Sequence, residues 1–184
     1  MKHRKKLKYR YISLWLALVL YIGIIPRAEA APANPPLPLV VMAAKKLGII
    51  GCLPAITQVA TKNIRNATEQ NIVVDWNRKT PNEAPFFSMT ALDTDSIHIV
   101  LSITAIPLPH KGCSLMVQKV FSMVESCSLI SQRDLTTYVG GRLIDGVLVF
   151  NNPSWPEETY TLVQNANNCT VIYRNAIPRW SATP

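Results

Sequence analysis

The chain has no GxSxG elbow, no P-loop, no HExxH helix and no glycine-rich dinucleotide fingerprint. The common acyl-transfer, phosphate-binding and hydride-transfer sites therefore have no motif to stand on. No two of its four cysteines, Cys52, Cys113, Cys127 and Cys169, have the two-residue spacing of a zinc knuckle, and beyond the first 30 residues only His98 and His110 could assist them. That inventory does not build a zinc site, and no cofactor is expected. Charge is also scarce, at 16% of 184 residues, against 48% apolar. Such a composition packs a core, and the length is that of one domain.

A formal charge of +8 suggests nucleic acid until its location is examined. Seven of the 19 basic residues (Lys2, Arg4, Lys5, Lys6, Lys8, Arg10 and Arg27) lie in the first 30 positions, with one of the 11 acidic ones, Glu29. Those positions read as a secretory signal: a basic start, an apolar run from Tyr11 to Ile25, and Ala28-Glu29-Ala30 as a small-x-small cleavage site. The run is short of the roughly 20 residues that span a bilayer. Cleavage leaves 12 basic and 10 acidic residues, a net +2, so neither a nucleic-acid partner nor a membrane span is expected. The organisation anticipated is a signal peptide at 1–30, a proline-rich tether at 31–38, one domain at 39–177 and a flexible tail at 178–184.

Export, to the periplasm or the outside of the cell, changes how the cysteines read. An even number in an oxidising compartment implies two disulfides. One alternative is that Ile49-Ile50-Gly51-Cys52 is a lipoprotein cleavage site, but Lys45 and Lys46 leave it only Leu47 to Gly51 as an apolar lead.

Periodicity is clearest from Phe86 to Val124, three apolar runs separated by Asp93-Thr94-Asp95-Ser96 and by Pro107 to Gly112. The middle run alternates, with Ile97, Ile99, Leu101, Ile103 and Ala105 on one face and His98, Val100, Ser102 and Thr104 on the other. Ahead of this meander, Gly51 to Arg65 repeats Cys52, Leu53, Ile56, Val59, Ala60 and Ile64 at helical spacing, with Pro54 tolerable only in the first turn. Leu39 to Leu47 can open as helix or strand, because Val40-Val41 and Met42-Ala43-Ala44 pull apart. Asn71 to Trp76 reads as a short strand, and Ser126 to Leu135 as a brief helix capped by Ser126 or Ser128. Gly140-Gly141 reads as a break. Arg142 to Phe150, Tyr160 to Val163 and Thr170 to Tyr173 read as further strands, with a proline-rich loop at Asn152 to Pro156 and a turn at Asn165 to Asn168.

The fold class expected is α+β: an N-terminal amphipathic helix packed on an antiparallel meander sheet, in the cystatin-like style, with two disulfides. The comparison is architectural and carries no function. In that layout the helix start lies beside the start of the third meander strand. Cys127 is then on the order of 45 Å from Cys113, at 14 residues of about 3.3 Å each. Bridged Cα atoms sit within about 7 Å, so Cys52–Cys113 with Cys127–Cys169 is the preferred pairing. Cys52–Cys127 with Cys113–Cys169 is second.

His98 is a solvated residue or a catalytic base, with Asp75, Asp93 and Asp95 as possible acidic partners; His110 sits in the Pro107–Gly112 loop. Val100, Ile106, Met116, Val120 and Val124 make the second face of the meander too apolar for a plain wet surface. Either the C-terminal strands and Trp155 cover it, or it is a partner face. Asn66-Ala67-Thr68 and Asn168-Cys169-Thr170 are N-glycosylation sequons. The function expected is an exported binding or accessory module whose partner is an unknown protein or small molecule. A small hydrolase using His98 and a structural subunit of an envelope complex are the alternatives.

Overall fold

A computed structural model describes residues 37–109 and 112–180; the expected signal peptide, most of the tether and His110 lie outside them. Val40, Val41 and Ala44 fall on one buried helical face, which places Leu39–Lys46 in helix α1. The alanines and lysines behind the β-branched pair decide the element. Gly48, at φ +79°, then turns the chain, and helix α2 follows over Leu53–Ile64 with Pro54 in its first turn. Ala55, Ile56, Val59, Ala60 and Ile64 are the buried stripe of α2.

The strands are β1 (Glu69–Asp75), β2 (Phe86–Asp93), β3 (His98–Pro107), β4 (Cys113–Met123), β5 (Val139–Ile144), β6 (Val147–Asn152), β7 (Trp155–Asn165) and β8 (Asn168–Trp180). A short helix, α3, spans Cys127–Asp134 between β4 and β5, and its Ser126 hydroxyl accepts from the Leu129 N–H at 3.2 Å. All eight strands form one antiparallel sheet in the order β1-β2-β3-β4-β8-β7-β6-β5. The molecule is therefore mixed α+β, with three helices and two disulfides among the described residues. None of those helices is long and apolar enough to cross a membrane.

Several expectations from sequence are corrected. Arg142 to Phe150 is a hairpin, because Asp145-Gly146 is a two-residue turn signal and Gly146 takes φ +75°. Gly140 and Gly141 belong to β5 instead of breaking the chain. A Cβ on Gly140 would stand 2.3 Å from the Val149 carbonyl and 2.5 Å from the Phe150 ring, so glycine there admits the aromatic side chain. β7 opens at Trp155, inside the expected proline-rich loop, and β8 runs through Pro178 to Trp180. The C-terminal strands do not fold over the meander. β8 pairs with β4 and continues the sheet sideways.

The helices all lie against one face of this sheet. α1 and α2 bury Phe86, Leu101, Ile103, Ala105, Leu115 and Val117; α3 buries a smaller group around Leu162 and Val171. Each core has its own staple. Cys52–Cys113 ties the start of α2 to the start of β4, and Cys127–Cys169 ties α3 to the start of β8. Closing loops of 61 and 42 residues, each contributes about 4 kcal/mol on chain-entropy grounds.

Candidate functional site

The ladder between β7 and β8 ends before either strand does. Its register pairs run from Asn165 with Asn168 to Glu158 with Asn175 and stop there. Ahead of that point β7 turns aside, since Trp155 pairs with Asn152 across the β6–β7 turn while Thr159 pairs with Asn151. Pro156, Glu157 and Glu158 form the bulge between, where a proline without an N–H does no harm. β8 meanwhile follows β4, with Ala176 opposite Met116 and Ile177 opposite Leu115.

The edge of β8 from Ala176 to Arg179 thus has no partner in β7, and a cleft of about 630 Å³ opens there. Lys62 reaches it from α2; Trp155, Glu157, Glu158, Asn175 and the β8 segment complete the lining. Its formal charges are Lys62 and Arg179 against Glu157 and Glu158, two of each sign. Trp155 is 67% exposed, an unusual placement for an indole.

Glu158 is shared with a polar cluster between α2 and α3. Its carboxylate accepts from the Tyr138 hydroxyl, from Asn152 Nδ2 at 3.3 Å and from the Tyr173 hydroxyl at 3.2 Å. Asn175 Nδ2 donates to the Tyr173 oxygen at 3.4 Å. Tyr160 meets Tyr138 edge-on at 5.3 Å between ring centres and Tyr173 at 5.0 Å. Partial burial pushes the Glu158 carboxyl up, but the three donors and Lys62 outweigh it and hold the group below its ordinary value. Burial, then the Glu158 charge, pushes Tyr138 up to about 12. Tyr160 and Tyr173 are raised, first by burial. Lys119, whose ammonium lies 5.8 Å from the Tyr173 ring centre, is lowered by burial and then by Lys62. The carboxylate is thus ionised and the phenols protonated across the neutral range. They hold one geometry and are poorly matched to general acid–base transfer, which needs a pKa near the working pH.

The second face of the sheet is bare of helices. Val100 and Val120 are register partners on it, Met116 lies opposite Thr104, and Ile106 lies opposite Ser114. Val100, Ile106 and Met116 are exposed, Val120 is half-buried, and Val124 lies in the bend beyond β4 at 87% exposure. Met89 and Val73, paired across β2 and β1, continue the patch. Serines, threonines and Gln118 fill the gaps. Among the described residues of β3, β4, β8 and β7 from Val100 onward, Arg174 is the one formally charged side chain that strand alternation sets well inside this face.

His98 opens β3 directly opposite Asp93, with Nδ1 2.9 Å from Oδ1 and its side chain 91% exposed. A shallow depression of about 430 Å³ beside it is lined by Asn71, Leu92, Val100 and neighbours. Neither Asp75 nor Asp95 is hydrogen-bonded or ion-paired to His98; Asp75 ends β1, and Asp95 lies in the β2–β3 turn. Asn66 and Asn168 are both exposed. No family model, no curated protein and no solved structure matches the chain.

The tyrosine–glutamate cluster and the cleft escape a motif search because their members come from one helix, one loop and three strands. One signal was present. Glu158 and Tyr160 stand two apart in a strand, hence on one face, and Tyr173 and Asn175 repeat that spacing in the next.

Proposed function

We propose that the chain is an exported, disulfide-bonded binding module, with a signal peptide at 1–30, a tether at 31–38 and, from 39 onward, a single domain packed in the cystatin-like style. Two disulfides among the described residues are consistent with maturation in an oxidising compartment. The observation that carries the reading is the helix-free second face of the sheet with Val100, Ile106, Met116 and Val120. Its partner is a protein with a flat, apolar, nearly uncharged surface, because a charged partner surface would be desolvated against Val, Met, Ser and Thr with only Arg174 to answer it. Five central strands about 4.8 Å apart, each giving about eight residues at 3.3 Å, make a plane of roughly 600 Å². With side-chain relief that approaches the ~800 Å² per partner of an ordinary protein interface.

The test is comparative capture from the native envelope or culture fluid with the oxidised chain beginning at Ala31. One protein should be retained by the wild type and by His98→Ala, and recovered at least tenfold less by Val100→Lys/Met116→Lys with an unchanged melting temperature. Equal recovery on the face variant, or none on the wild type, overturns the reading. A second reading, a small hydrolase, is favoured by the 2.9 Å approach of Asp93 to His98 beside a depression. It requires His98→Ala to abolish turnover, whereas the binding reading requires the same variant to leave capture intact.

A further inference from the structure

We infer that the cleft between the opening of β7 and the end of β8 is a saccharide-binding site, separate from the protein-docking face. Its volume of about 630 Å³ lies within the range of small-molecule pockets, and its lining sets Trp155, Ala176, Ile177 and Pro178 among the polar side chains of Lys62, Glu157, Glu158, Asn175 and Arg179. The exposed indole of Trp155 offers a flat π-surface, negative over its face, on which the weakly positive C–H side of a pyranose ring stacks. Glu157 is exposed and accepts hydroxyl donors; Lys62 and Arg179 donate to hydroxyl oxygens.

Charge selects the ligand class. Two cations and two carboxylates leave the lining without formal net charge, so an anionic or cationic ligand would meet as much repulsion as attraction, whereas a neutral polyol meets donors and acceptors together. The Glu158 carboxylate, held by Tyr138, Asn152 and Tyr173, keeps that wall fixed before the ligand arrives. Fixing it in advance reduces the ordering cost of binding.

The free β8 edge also invites an added peptide strand, but only Ala176 to Arg179 is open and Pro178 supplies no N–H within it. A four-residue edge with one donor missing is a poor template for strand addition.

Calorimetric titration of the oxidised chain beginning at Ala31 with maltotetraose and with an N-acetylglucosamine tetramer tests this. Tetragalacturonate, a lysine tetrapeptide and an uncharged β-prone hexapeptide serve as comparisons. At least one neutral saccharide should bind, Trp155→Ala should weaken it tenfold or more with an unchanged melting temperature, and Glu157→Gln should weaken it less. No binding of either neutral saccharide, equal binding by Trp155→Ala, or tighter binding of a charged ligand or the peptide overturns the inference. Val100→Lys/Met116→Lys should bind the saccharide like the wild type, so failure of the docking face and failure of the cleft are read separately.

Discussion

Thr90 shows at one residue how the sheet's buried face was assembled. It lies on β2 between Ile72 of β1 and Leu101 of β3, is fully buried, and its hydroxyl has no hydrogen-bond partner, whereas neighbouring Ser88, equally buried, donates to the Ile103 carbonyl at 3.3 Å. A buried hydroxyl without a partner forfeits its water bonds for nothing, a loss of about 1–3 kcal/mol. Thr90→Val keeps the branched shape and removes that loss. Chemical denaturation should give a variant more stable by about 1 kcal/mol, with Tm raised by about 2–4 °C; a destabilised variant would mean that the hydroxyl is in fact satisfied. Period-two alternation assigned the middle strand's faces from sequence, with Leu101, Ile103 and Ala105 buried as that pattern requires. Alternation says nothing of polar satisfaction, which depends on what a neighbouring strand offers, so the sequence alone does not distinguish Thr90 from Ser88.

At the scale of elements, what was legible followed from local chemistry. The Pro54 start of α2, the Ser126 cap of α3 and the turns bounding β3 all rest on residues within a few positions of one another. The order of β8 beside β4 could not be read locally, because it depends on pairing across some 50 residues of sequence, and of the two readings of the meander's second face, cover by the C-terminal strands failed with it. The disulfides sit where these two scales meet. Cys127–Cys169 serves the smaller core, where Ile130, Leu135, Leu162 and Val171 are the buried aliphatics, while Cys52–Cys113 serves a core several times larger. Loss of about 4 kcal/mol is therefore felt unequally, given total stabilities of 5–15 kcal/mol. In Cys127→Ala/Cys169→Ala, hydrogen exchange should quicken first in α3 and β5 to β7 while amides of β2 and β3 stay protected. Uniform loss of protection would show instead that the two cores unfold as one cooperative unit.

For the whole molecule, the sheet joins the two cores and the tyrosine cluster occupies the seam between them. Past residue 30 the chain has three tyrosines, Tyr138, Tyr160 and Tyr173, and all three are in that cluster. Each has its pKa raised in the folded state, first by burial, with Tyr138 at about 12. Unfolded phenols ionise near pH 10. The folded state therefore keeps protons that the unfolded state releases, and stability must fall as pH rises from about 10 through 12. Lys119 works in the opposite sense: its lowered folded pKa makes stability rise with pH until the unfolded amine has itself deprotonated near 10.4. The sum is a gentle rise or plateau below pH 10 and a steep fall above it. Near-ultraviolet titration of the chain beginning at Ala31 should show tyrosinate forming only as circular dichroism reports unfolding, and Tyr138→Phe should make the alkaline fall shallower. Three phenols ionising near pH 10 while the fold persists would mean that the seam is open to water and that Glu158 is not held as its hydrogen bonds require.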